Sequence, residues 1–263
     1  MRRLTVVFFL VLSVLSAFPT AQITERINDN GVDKGLCSLL LELDSINFSR
    51  LKSRIPHDMT SIALWRNYIA CWKIKNDSLF LDSLLVPVKQ PEKYLSVGID
   101  DIYGGRRTES GYFANWVSDT LRLVSDDLLL YIHSGWNSTW EHEERVAVEK
   151  GIIKGRELSE NRLVHQGVSE SEMLKLRDSI DVGEIPGRIG LDVKYSSYDA
   201  DGKPTGCDIK VLRSCGDKAV DCRVVKVTEK WLLEARPFPI YYINGRYISP
   251  DYLLSFPTKK EKH

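Results

Sequence analysis

The sequence predicts an α+β protein: an N-terminal antiparallel β-sheet domain with a short covering helix, followed by a small ββαβ domain. Three observations carry that expectation. The stretch from Ser61, SIALWRNYIACWKI, is rich in aromatic and β-branched residues, as half-buried strands are. Turn residues interrupt this pattern at short intervals, at Lys75-Asn76-Asp77-Ser78, Ser125-Asp126-Asp127 and Lys150-Gly151. Finally, Gly187 to Phe256 reads strand, Asp-Gly turn, strand, amphipathic run and strand.

The elements follow in order. Arg2 and Arg3 precede an apolar run from Leu4 to Leu15, broken only by Thr5 and Ser13, with Ala17 and Ala21 as cleavage points. That is the layout of an export signal, so residues 1–21 are read as a signal peptide. An uncleaved anchor is the alternative, and the run is short for one, because a spanning helix needs about 20 apolar residues. The first cysteine, Cys37, lies too far on for a lipoprotein anchor. The expected location is the periplasm or cell envelope of a Gram-negative bacterium, without stable membrane insertion after cleavage.

Leu36, Leu39, Leu40, Leu43 and Ile46 recur at three- and four-residue steps, which predicts a helix over Val32–Ile46. Tyr68, Ala70, Trp72 and Ile74 should share one strand face, and LFLDSLLV should return beside them across the KNDS turn. Further strands are expected in YFANWVSDTLRLV, LLLYIHSGWNS, TWEHEERVAVEKG and IIKGRELS, joined by hairpin-like connections at Ser125–Asp127 and Lys150-Gly151. SESEMLKLRDSI reads as a helix capped by Ser169. The expected domains are thus 22–165, antiparallel and β-rich, and 166–257, α+β, with a charged tail over 258–263.

In the second domain, Ile189, Leu191, Val193 and Tyr195 alternate with polar residues before the turn Asp199-Ala200-Asp201-Gly202. Ile209, Val211 and Leu212 continue a second strand closed by Arg213-Ser214. Val220, Val224, Val225 and Val227 mark a helix holding Asp221, followed by Trp231 and the terminal DYLLSF. This order resembles the C-terminal domain of TonB and TonB-like bacterial envelope proteins, over roughly 80 of the 263 residues. The resemblance implies a core role for Trp231, against residues such as Val211 and Val225. It departs from the family after Asp221, where Cys222-Arg223-Val224 replace the usual Glu-Ala, and in the loop after Trp231. Partner contacts therefore do not carry over. Neither a Pro-rich spacer nor an anchor of comfortable spanning length accompanies it, which argues against an energy transducer.

The first domain also resembles a β-rich bacterial family of unknown function. Trp65, Arg66, Tyr68, Ala70, Trp72, Leu79, Leu81, Ala114, Trp116 and Leu121 carry that likeness, with Asn67 standing where the family has glycine. It implies no chemistry.

Composition narrows the function. Lys plus Arg and Asp plus Glu both total 36, giving zero net charge, so the basic footprint of a nucleic-acid binder is missing. No nucleophile elbow, zinc-protease motif, P-loop or dinucleotide fingerprint occurs. The expectation is a non-enzymatic protein with no cofactor and an envelope protein as partner. Arg246, Tyr247 and Ile248, followed by Pro250, are the candidate edge strand for that partner, since proline is tolerated at an edge. The alternative is a glycan- or peptide-binding protein or enzyme using Trp136, Trp140 and Glu141. His142 lies between Glu141 and Glu143, but strand neighbours point to opposite faces, which counts against a metal site. His57, His133 and His165 complete the candidate histidines. Of the five cysteines, Cys207 and Cys215 would stand roughly 26 Å apart on one strand, well beyond disulfide reach. Cys215 and Cys222, across a short turn, could pair or remain thiols.

Overall fold

The computed structural model describes residues 21–57, 61–88 and 93–257, and shows a mixed, β-rich architecture of three sheets and few helices. Nearly all of the expected signal segment, and the tail from 258, lie outside the described residues. The first sheet contains β1 (Glu25–Asp29), β2 (Val32–Leu36), β3 (Ile69–Lys75), β4 (Ser78–Pro87), β5 (Tyr94–Val97), β6 (Arg107–Thr108), β7 (Gly111–Phe113), β8 (Asp119–Leu130), β9 (Thr139–Glu149) and β10 (Ile152–Glu160). Two short helices, α1 (Ser45–Lys52) and α2 (Asp100–Tyr103), lie in its connections. The remainder is β11 (Arg162–His165), α3 (Glu170–Asp178), β12 (Ile189–Tyr198), β13 (Pro204–Arg213), α4 (Lys218–Ala235), β14 (Ile240–Ile243), β15 (Arg246–Ile248) and β16 (Tyr252–Phe256).

The first sheet bends round on itself in the order β10-β9-β8-β2-β1-β3-β4, and β10 then pairs with β4 at Ile152 and Ser78. Leu79 N–H donates to the Gly151 carbonyl at 2.8 Å, and Ile153 N–H to the Asp77 carbonyl at 2.9 Å, so closure is made at one end of the seam. Inside lie Ile27, Leu36, Tyr68, Ala70, Trp72, Ile74, Leu79, Leu81, Leu121, Leu123, Val146 and Val148, all buried. The expected face of Tyr68, Ala70, Trp72 and Ile74 is therefore the interior, and the KNDS turn joins β3 to β4 with Asn76 and Asp77 both at positive φ.

Four expectations for this region need correction. The 32–46 segment is not a helix. Asn30 and Gly31, at φ 49° and 97°, make the tight turn that folds β2 back on β1. Leu36 then closes β2 while Leu40 and Leu41 are buried in a 3₁₀ turn. Next, the sheet is not wholly antiparallel, because β1 runs parallel to β3. Ser125–Asp127 is no hairpin either: β8 continues through it, and the polar residues are absorbed by a register shift against β9. Lastly, the segment after Phe113 turns at Ala114 and Val117 before β8 begins at Asp119.

A second group of elements follows Asn161. β11 pairs with β14 and not with β10, so the change of sheet falls at Asn161, a little before the expected boundary at 166. Asn161 is buried there. Its Nδ2 donates to the Trp140 carbonyl at 2.8 Å, and its Oδ1 accepts from Asn244 N–H at 3.0 Å. α3 begins, as expected, at Ser169, which forms a capping box with Glu172. β12 and β13 form the expected hairpin, and β16 returns antiparallel on the other side of β12. β11, β14 and β15 make a separate small sheet.

α4 is longer than the sequence suggested and contains Trp231. Asp217 caps its N-terminus and Arg236, at φ 47°, ends it. The buried stripe is Asp221, Val224, Thr228 and Leu232, spaced by three and four residues. Trp231 stands one residue off that stripe and is only partly buried, and Val211 is 37% exposed. The expected packing of Trp231 as the central core aromatic is therefore corrected. Leu232 is the fully buried side chain here, its carbonyl accepting from the Tyr195 hydroxyl at 3.2 Å, while Trp231 packs at the margin of the core.

Candidate functional site

The most available binding feature is the free side of β13. In the order β13-β12-β16, β13 is an outer strand of ten residues with no strand on its far side among the described residues. Its run from Cys207 to Val211 pairs with β12 in unbroken register. Asp208 opposes Lys194, and Lys210 opposes Asp192. These four side chains share the face away from α4, where Lys194 also reaches Asp251 at 3.5 Å. Beyond them Val211 and Leu212 are exposed at 37% and 55%. Unpaired strand edges with regular geometry accept an added strand.

The edge expected from sequence, Arg246–Ile248, is β15, an outer strand beside β14. It is only three residues long. Tyr247 is drawn inward: its ring sits against Gly202, near Tyr198 and Tyr242, and its hydroxyl donates to the Ala200 carbonyl. Arg246 and Ile248 remain exposed. β13 is the longer site, and the sequence reading missed it because a hairpin's outer strand cannot be told from its inner one without the third strand's placement.

Trp136, Trp140 and Glu141 do not form one surface. Trp136 lies over the Arg66 guanidinium, 5.7 Å from ring centroid to carbon, and its indole N–H donates to the Ile23 carbonyl at 3.4 Å. Trp140 and Glu141 are strand neighbours and so face opposite ways. Trp140 packs beside Arg122 and lines an open groove of about 960 Å³ on the outer side of the first sheet. Arg26, Asn28, Asp33, Lys73 and Asp82 provide its polar wall. Trp116 is core-facing, stacked on Tyr103 at 5.0 Å and donating to the Leu40 carbonyl. Among the described residues no cluster of histidine, cysteine and carboxylate side chains could hold a metal.

Two clusters of ionisable residues, one partly exposed and one buried, were invisible in sequence. Asp29, Lys34, Glu144 and Arg156 form a closed network: Lys34 reaches Asp29 at 2.9 Å and Glu144 at 2.7 Å, and Arg156 reaches Asp29 at 2.8 Å and Glu144 at 2.7 Å. Burial opposes the charge on Asp29, yet the hydrogen bonds from Arg156 and Lys34 hold its carboxyl below the usual range. This network joins β9 and β10 to β1 and β2.

Glu25 is different. It is fully buried, accepts from the Trp72 indole at 2.7 Å and stands 3.9 Å from Arg66 Nε. Glu25 Oε1 and Arg66 Nε and Nη1 have no hydrogen-bond partner. Burial pushes the Glu25 carboxyl up to about 8, against the opposing pull of Trp72 and Arg66. Asn67, beside Arg66, holds φ 55°, a left-handed conformation that asparagine adopts more readily than most residues other than glycine. A recess of about 330 Å³ lined by Glu42, His57, Trp65 and Tyr68 lies next to this pair. The unpartnered atoms themselves are closed to solvent, so the pair acts as an internal strut.

All five cysteines are thiols, which corrects the candidate bridge between Cys215 and Cys222. The reason is local. Asp221 turns toward the β13–α4 loop, accepting from the Ser214 hydroxyl at 2.5 Å and Cys215 N–H at 3.1 Å. Cys222, the next residue round the helix, is exposed and points elsewhere. No protein-family model, curated protein or solved structure matches the chain.

Proposed function

We propose that this is an exported, non-enzymatic protein of the bacterial envelope that binds a protein partner through strand addition to its C-terminal sheet. The single observation that carries the reading is β13, ten residues long and unpaired on its outer side among the described residues. Export is supported by Arg2, Arg3 and the apolar run that follows them. The TonB-like reading is supported by the order β12, β13, α4 and β16, with β16 returning beside β12. β14 and β15, inserted before β16 and paired elsewhere, set this unit apart from the simplest form of that arrangement.

Photocrosslinking in cells tests it. A crosslinking amino acid at Thr205, Asp208 or Leu212 should give discrete protein adducts, while one at the exposed α4 position Lys230 should not. Adducts that form equally at both places would contradict strand addition. A second reading is favoured by one observation, the presence of Trp140 in the 960 Å³ groove, where a sugar ring or peptide could stack. Calorimetric titration with cell-wall glycopeptide fragments should then show binding that Trp140→Ala abolishes, and no heat from any fragment would remove that reading.

A further inference from the structure

The charges along β13 say what fits its edge. On the face away from α4, Asp192 and Lys210 oppose each other across β12 and β13, as do Lys194 and Asp208. We propose that the edge pairs antiparallel with the same strand of a second copy, centred on Ile209, so that two three-stranded sheets become one of six.

That register puts Asp208 opposite Lys210 of the second copy, and Lys210 opposite its Asp208. Reading across the four central strands, the charges run Asp192, Lys210, then Asp208 and Lys194 of the second copy, alternating in sign throughout. The symmetry repeats the row in reverse. Opposite charges directly across a strand pair stabilise it and like charges destabilise it. On the α4 side the same register sets Ile209 against Ile209 and Cys207 against Val211, covering side chains that are partly exposed in one chain.

Neighbouring registers lose this fit. A centre on Asp208 or Lys210 sets like charges face to face. A shift of one residue sets Asp208 against Ile209, mixing a charge with an apolar side chain on one face. The isologous contact is also closed, as a two-fold dimer requires. This inference rests on the reading of β13 as the interaction edge and names its occupant.

The test uses the mature full-length chain in sedimentation velocity. The unmodified protein should dimerise. Asp208→Lys and Lys210→Asp should each weaken self-association by about tenfold or more, because each places like charges across the interface. Mixed together, the two variants should restore the dimer, since one chain would then present a lysine at both positions and the other a carboxylate at both. Restoration on mixing separates a broken interface from a misfolded variant. A dimer indifferent to both substitutions, or single variants that stay monomeric when mixed, would overturn the proposal. A monomeric wild type whose β13 crosslinks a different protein would overturn it while leaving strand addition standing, and a monomer with no β13 adducts would remove both.

Discussion

The first sheet and the C-terminal sheet manage their edges in opposite ways. β10 meets β4 at Ile152, and Arg156 of the same strand ties it to Asp29 of β1 and Glu144 of β9. The rest of β10 has one register shift, between Ile153 and Gly155, and carries exposed Lys154, Arg156, Glu157 and Glu160. Bulges and a dense row of charges are how proteins discourage strand addition. The β12–β13 pairing also shifts register on either side of Cys207–Val211, but within that run it is continuous and the charges alternate in sign. A strand with that pattern excludes little and complements itself. The contrast teaches that the run of strands from β10 round to β4 is built to be closed, and β13 to be met.

The seam network is the place to break the first half of this comparison. Asp29→Ala would leave Arg156 and Lys34 facing each other with one carboxylate, Glu144, between them. Removing one partner of a buried pair costs about 3–5 kcal/mol, and the partial exposure of Arg156 and Lys34 places the expected loss at the lower end. Chemical denaturation should show the first unit destabilised. An unchanged midpoint would mean that the network adds nothing to the hold of β10 on β1.

In the second unit, Leu232→Ala should cost about 2–5 kcal/mol, as for other fully buried leucines, whereas Trp231→Ala should cost clearly less. The reverse order in thermal unfolding would return Trp231 to the core and shift the α4 register by one residue.

Glu25 gives the first unit a pH dependence that reaches into the neutral range. Its folded value is near 8 and its ordinary value 4.5, so between those limits the folded chain holds more protons than the unfolded one. Stability should therefore fall as pH rises from about 4.5 to 8, by a few kcal/mol on a scale of about 1.4 kcal/mol per unit. Glu25→Gln should flatten that decline. Asp29 and Glu144 act in the opposite sense and lower, because their depressed values contribute stability that is lost as pH falls through the acid range. A wild-type melting temperature that is flat or rising up to pH 8 would contradict the placement of Glu25.

The smallest effect is expected at the joint. Asn161→Ala deletes the bonds to Trp140 and Asn244, each worth about 0.5–1.5 kcal/mol. It should separate the unfolding transitions of the two units by calorimetry while leaving each core intact.

These residues also show what the sequence could convey. The β3–β4 hairpin and the β12–β13 hairpin were legible because their interior positions are apolar and their turns carry Asn-Asp or Asp-Gly signals. β1 was not, since Glu25-Arg26-Ile27-Asn28-Asp29 has one apolar residue, and its inward carboxylates meet Trp72, Lys34 and Arg156 from other segments. Periodicity cannot mark a strand whose interior side chains are carboxylates. The leucines after Leu36 misled for the converse reason, because the Asn30-Gly31 turn commits the chain to a hairpin before their helical spacing can act. In the candidate site, Asp208 and Lys210 were visible as letters, but their meaning depended on β16 taking the other side of β12.

Hydrogen exchange measured strand by strand, at decreasing protein concentration, tests the contrast between a closed sheet and an open one most directly. In dilute solution the outward amides between Cys207 and Leu212 should exchange fast, those of β3 and β9 should stay protected, and protection in β13 should rise with concentration while the first sheet does not change. Protection of β13 equal to that of β3 at the lowest concentration would contradict an open edge.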